Sequence, residues 1–129
     1  LDTNGSNPQM LETLIEAGEI DFVSMDVKAP LDPFRYKRSA GLSIDLNLIL
    51  RSIEILKKEK VDYQFRMTVV PGLHGERDIK RLGDQLRAGR RLILQNFTPE
   101  NPLDPLLKKT SPYDPKALKE IEREVQRMI

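Results

Sequence analysis

The sequence predicts an α/β fold with parallel strands and alternating helices, on three observations. Strand-like and helix-like stretches alternate along all 129 residues. The first three strand-like stretches run into turn signals: "NG" at 4–5, "AP" at 29–30 and "PG" at 71–72. The stretches between them carry apolar residues at helical spacing. Such a string folds as a parallel sheet built from right-handed crossovers. A barrel and an open doubly wound sheet both satisfy it.

Each element has a local reason. "LDTNG" reads as a strand end entering a turn. Asn7 then caps a helix, Pro8 takes its first position, Leu11, Leu14 and Ile15 form the apolar stripe, and Gly18 stops it. Residues 20–28 form a short apolar strand. Two prolines and a glycine make 29–41 a loop, with one helical turn near 34–38. Ser43 is the expected cap of a helix over 44–59, whose stripe is Leu46, Ile49, Ile53 and Leu56. Lys57, Lys58 and Lys60 suit its C-terminal end and read as a solvated cluster. Residues 61–70 are a strand and 76–88 a helix with Ile79, Leu82 and Leu86 inward. Residues 90–97 are the last strand, with Arg87, Arg90 and Arg91 decorating its start. A proline-rich loop leads to Asp114-Pro115, which opens a helix with Leu118, Ile121, Val125 and Met128 on one face.

Composition narrows the function. Charged residues make up 32% and apolar ones 39%, as in globular proteins. The net charge of +1 gives no electrostatic reason to expect nucleic acid or an anionic membrane as a partner. No apolar run approaches the roughly 20 residues needed to cross a bilayer. The default location is therefore the cytoplasm. With no Cys and a single His, the chain offers neither thiolate ligands nor a His-based metal cluster. It opens in mid-strand without a Met, so it is expected to be the C-terminal part of a longer protein.

The strands carry the chemical signal. A parallel strand covered on both faces is almost continuously apolar. In 20–28, Val23, Met25 and Val27 share one face, and Ser24, Asp26 and Lys28 the other. In 61–70, Tyr63, Phe65, Met67 and Val69 oppose Gln64, Arg66 and Thr68. Asp2 and Asn4 share a face of the first strand. Ligands of α/β proteins bind at the C-terminal ends of strands. Asp2, Asp26, Lys28 and Arg66 are therefore expected to converge there. Two cations beside two carboxylates suit a ligand bearing both an ammonium and a carboxylate. An ordinary salt-bridge network on a solvated sheet face is the other reading of the same parity.

Four motifs in order, "DTNG" (2–5), "MDVK" (25–28), "FRMTVVPG" (65–72) and "LQNFTPEN" (94–101), resemble the second half of a radical S-adenosylmethionine glycyl-radical activase. The last two look most like the activases of anaerobic ribonucleoside-triphosphate reductase. The resemblance covers nearly the whole chain, as one domain over 1–129. It implies the C-terminal part of a partial (β/α)6 barrel that binds S-adenosylmethionine. In the family a [4Fe-4S] cluster, held by a CxxxCxxC loop, reductively cleaves that cofactor, and the resulting radical takes a hydrogen from a glycine of a partner enzyme. An electron donor is implied as well. With no Cys, the chain would hold no cluster ligand and be inert alone.

Position by position, the resemblance places Asp2 and Asp26 at the amino-acid end of the cofactor. Thr3 and the Ser24 carbonyl would join them around a monovalent cation. Lys28 would contact the cofactor near its carboxylate or ribose, and Arg66 would reach the same ligand. Where the family has a late-strand His, this chain has Phe97, with Asn96 as the substitute contact.

Two other functions fit the residues. One is a barrel enzyme using Lys28 as a Schiff-base amine; against it, Asp26 shares Lys28's face, and a carboxylate neighbour favours the ammonium over the attacking amine. The other is a non-enzymatic small-molecule-binding module. His74 reads as an exposed turn residue. The long loop 97–115 is positioned to meet a macromolecular partner. An incomplete barrel would leave the first strand's edge open, and self-association there or disorder over 1–6 is expected.

Overall fold

The computed structural model describes residues 1–32, 36, 45–70, 74–86, 89, 91–96 and 113–129. The elements are β1 (Asp2–Thr3), α1 (Pro8–Glu16), β2 (Phe22–Asp26), α2 (Leu46–Lys57), β3 (Asp62–Val69), α3 (Glu76–Gln85), β4 (Leu92–Asn96) and α4 (Pro115–Met128). They alternate as the sequence predicts. Apart from Tyr36, the helical turn expected near 34–38 lies outside the described residues. So do residues 97–112, Ser43, Arg87 and Arg90.

Helix ends follow local chemistry. The Asn7 side chain accepts a hydrogen bond from the Met10 N–H at 3.1 Å, satisfying a donor that α1 cannot pair internally. At the other end Gly18 takes φ +68. This lets its N–H reach the Ile15 carbonyl at 3.1 Å and the Glu19 N–H reach that of Leu14 at 3.2 Å. One expectation is corrected: the cap of α2 is Asp45, not Ser43. The Asp45 carboxylate accepts from the Asn47 N–H at 2.9 Å, and a carboxylate there also complements the helix dipole.

The sheet is parallel throughout, in the order β1-β2-β3-β4. Spatial order equals chain order, so every crossover advances the same way. Right-handed crossovers that never reverse put all their helices on one face. A doubly wound sheet needs a reversal, which this order lacks. The winding is compatible with a partial barrel.

Burial agrees. Val23, Met25, Val27, Phe65, Met67 and Val69 are fully buried on the helix-bearing face, with Leu11, Ile49, Leu56, Ile79 and Leu82 among the helix residues of the same core. The opposite face carries Asp2, Ser24, Asp26, Gln64, Arg66, Ile93 and Gln95, aligned by the register Asp2↔Ser24↔Gln64 and Asp26↔Arg66↔Ile93.

The two margins of the sheet differ. Along β4, the Leu94 N–H donates to the Glu122 carboxylate at 2.8 Å and the Leu92 N–H to the Gln126 side chain at 3.3 Å. The Asn96 amide pairs with both backbone groups of Tyr113, at 2.8 and 3.1 Å. Side chains of α4 thus occupy donors that an added strand would use. At the other margin, β1 pairs with β2 on its inner side only, among the described residues. Residues 1–6 follow a defined path, with the Thr3 hydroxyl accepting from the Gly5 N–H and the Asn4 side chain from the Ser6 N–H.

Candidate functional site

Four of the charged residues predicted from strand parity meet on the polar face of the sheet. Cross-strand neighbours on one face stand close enough for side chains to interact. Asp26 and Arg66 are such a pair, and the Arg66 Nε donates to the Asp26 Oδ1 at 2.8 Å. The other arm of the guanidinium reaches toward β1, with Nη2 4.0 Å from the Asp2 carboxylate. On the far side of Asp26, the Lys28 ammonium lies 3.8 Å from Oδ2. The result is a row of alternating charge, Asp2, Arg66, Asp26, Lys28. Its side chains range from 22% exposed at Arg66 to 74% at Asp2, so the row is anchored in the sheet and open to solvent on one side. The hydrogen bond to Asp26 raises the Arg66 pKa above its ordinary value, and the charges of Asp26 and Asp2 add to this.

Ser24 and Gln64 complete the surface next to the row. The Gln64 amide donates to the Ser24 hydroxyl at 2.9 Å. Thr68 and Gln95, paired in register, lie toward the strand ends on the same face. Gln95 carries no parity signal of its own, because its neighbour two residues back on that face is the apolar Ile93.

Two expected members lie elsewhere. Asn96 is in register with Val69, on the helix-bearing face, and its amide is engaged by the Tyr113 backbone. Parity, one residue off, separates it from the charged row. Thr3 is in register with Met25 on that same face, and its hydroxyl is taken by the Gly5 N–H. The positive charge between Asp2 and Asp26 is the guanidinium of Arg66. No group of three or more His, Cys, Asp or Glu placed to hold a metal ion occurs among the described residues.

His74 is corrected from an exposed turn residue to a buried one, 4% accessible. Its Nδ1 accepts from the Val70 N–H at 3.0 Å and its Nε2 lies 2.8 Å from the Lys28 carbonyl. Tyr36 holds the other side of the same residue, its hydroxyl accepting from the Lys28 N–H at 3.1 Å. The Tyr113 hydroxyl donates to the His74 carbonyl at 2.7 Å. The contacts to Lys28, just past β2, and to Tyr113, just ahead of α4, had no sequence signal, because they lie 46 and 39 residues from His74.

Burial pushes the Tyr36 phenol up to about 12, offset in part by the Lys28 N–H and reinforced by the Asp26 charge. The folded value exceeds the ordinary 10.0, so this contribution to stability is intact below pH 10 and lost as pH rises toward 12. Urea titrations across that window should show a loss on the order of 3 kcal/mol. Tyr36→Phe should lack that pH slope; an unchanged slope would show that the loss comes from another group.

No helix among the described residues is long and apolar enough to cross a membrane. No family model matches the chain. All of it aligns, at 31% identity over 132 aligned positions, with a protein of Methanocaldococcus jannaschii provisionally named a glycyl-radical enzyme activating enzyme. The chain spans 55% of that relative's length.

Proposed function

We propose that this chain is part of a radical S-adenosylmethionine activase and that its charged row receives the amino-acid end of that cofactor. The observation that carries the reading is the Arg66 guanidinium set beside the Asp26 carboxylate and reaching toward Asp2, with Lys28 alongside. Such a surface offers acceptors to an ammonium and donors to a carboxylate within one span of sheet. The likeness to a provisional activating enzyme supports S-adenosylmethionine over other amino-acid-ended ligands.

In this reading Asp26 and Asp2 accept from the cofactor's ammonium, while Lys28 and Arg66 donate to its carboxylate or ribose. When bound, the cofactor supplies the radical that such activases deliver to a glycine of a partner enzyme. Anaerobic ribonucleotide reductase is the proposed partner, with a separate electron donor. With no Cys, the chain supplies no thiolate to a [4Fe-4S] cluster, so its residues fit the organic cofactor and not the cluster. Asn96 is assigned to holding Tyr113 and not to ligand contact. A Schiff-base role for Lys28 gains no support from a geometry in which the ammonium sits 3.8 Å from Asp26.

Calorimetry on the full-length, cluster-loaded enzyme tests the reading. Lys28→Ala should weaken S-adenosylmethionine binding by about 1.5 to 3 kcal/mol, the range for a hydrogen bond to a charged group. Unchanged affinity would remove Lys28 from the site.

A further inference from the structure

We infer that His74 is a positioning residue for Lys28, replacing a rung of the sheet where the backbone ladder ends. The inference rests on the proposed cofactor site. The last ladder bond between β2 and β3 at this end is the Val27 N–H to the Arg66 carbonyl, at 2.8 Å. One residue on, neither backbone group of Lys28 is held by the ladder. Tyr36 accepts from its N–H, and the His74 imidazole approaches its carbonyl. The same ring accepts from the Val70 N–H just past β3. A neutral imidazole has one acceptor and one donor on opposite sides of the ring. With a backbone N–H at Nδ1 and a carbonyl at Nε2, the proton is fixed on Nε2. The ring therefore joins Val70 to Lys28 as an inserted peptide group would.

The ring is itself anchored. The His74 N–H donates to the Val70 carbonyl at 2.8 Å, and its carbonyl accepts from Tyr113. Tyr113 is held in turn by Asn96 at the end of β4. The His74 ring thus ties the ends of β2 and β3, and its carbonyl is linked through Tyr113 and Asn96 to the end of β4. Holding the Lys28 backbone fixes where its long side chain starts, and so keeps the ammonium beside Asp26. A residue that only satisfied buried backbone groups would stabilise the fold without affecting what Lys28 binds. The two roles are separable by experiment.

Two conservative variants split the ring's contacts in the full-length protein. His74→Asn places an amide oxygen where Nδ1 sits, keeping Val70 and dropping Lys28. His74→Gln places an amide nitrogen where Nε2 sits, keeping Lys28 and dropping Val70. S-adenosylmethionine affinity should fall about tenfold in the Asn variant and return toward wild type in the Gln variant. In a Lys28→Ala background neither change should alter affinity further. Affinity that tracks melting temperature in both variants, or falls equally with Lys28 absent, would overturn the inference. If Lys28→Ala itself leaves affinity unchanged, the proposed cofactor site fails, and the positioning is then read without ligand. The chain's single histidine should show the Nε2–H tautomer by ring 15N shifts, and His74→Asn should move the Lys28 amide and side-chain signals. Unmoved Lys28 signals, or the other tautomer, would refute it.

Discussion

Arg66→Met should cost S-adenosylmethionine binding more than any other single change in the charged row. The guanidinium is the only side chain of the row that reaches both carboxylates, at 2.8 Å to Asp26 and 4.0 Å to Asp2. It is also the least exposed of the four. Removing it leaves two carboxylates on adjacent strands with Lys28 as the single cation of the row, and removes a donor from the site. Losing a hydrogen bond to a charged group costs about 1.5 to 3 kcal/mol, so a Kd raised roughly thirtyfold is expected. Arg66→Lys should recover only part of this, because a point charge cannot reach both acids at once. Calorimetry with the three proteins decides the matter. Wild-type affinity in Arg66→Met would mean that the row is a structural ion-pair network on a solvated sheet.

The largest effect on stability is expected from Gly5→Ala. Gly5 follows β1 at φ +76, in the left-handed region where an L side chain costs about 1 to 2 kcal/mol. A Cβ there would also collide with the Met25 Cε, and Met25 is fully buried. Overpacking a core costs typically about 1 to 3 kcal/mol more. The Gly5 carbonyl accepts from the buried Ser52 hydroxyl at 2.8 Å, so the turn cannot shift without breaking that bond. A total near 3 kcal/mol should appear as a lower urea midpoint with an unchanged slope. Gly18→Ala is the control. It shares the positive φ but meets nothing within 4 Å, so it should show the conformational part alone. Equal losses at both sites would show that Met25 moves aside freely.

The element order was legible because apolar residues at helical spacing alternate with strands that stop at turn residues. Parity within β2 and β3 then located the charged row, because the period of a strand is fixed at two. Register across strands is not written in one strand's parity. Asn96 was named as the substitute for the family's late-strand His, and the pairing Val69↔Asn96 sets it on the face opposite the charged row. Asp45 replaced Ser43 as a cap because both are good capping residues two positions apart. His74 was invisible for a different reason: its partners lie just past β2, just past β3 and ahead of α4, and only the finished sheet brings them together.

The occupied donors along β4 limit how copies of this chain can join. Sheet extension along β4 needs vacant backbone donors, and the Leu92 and Leu94 N–H groups are already engaged by α4. Growth into fibres would require α4 to peel away first, so its docking acts as a chain terminator against polymerisation.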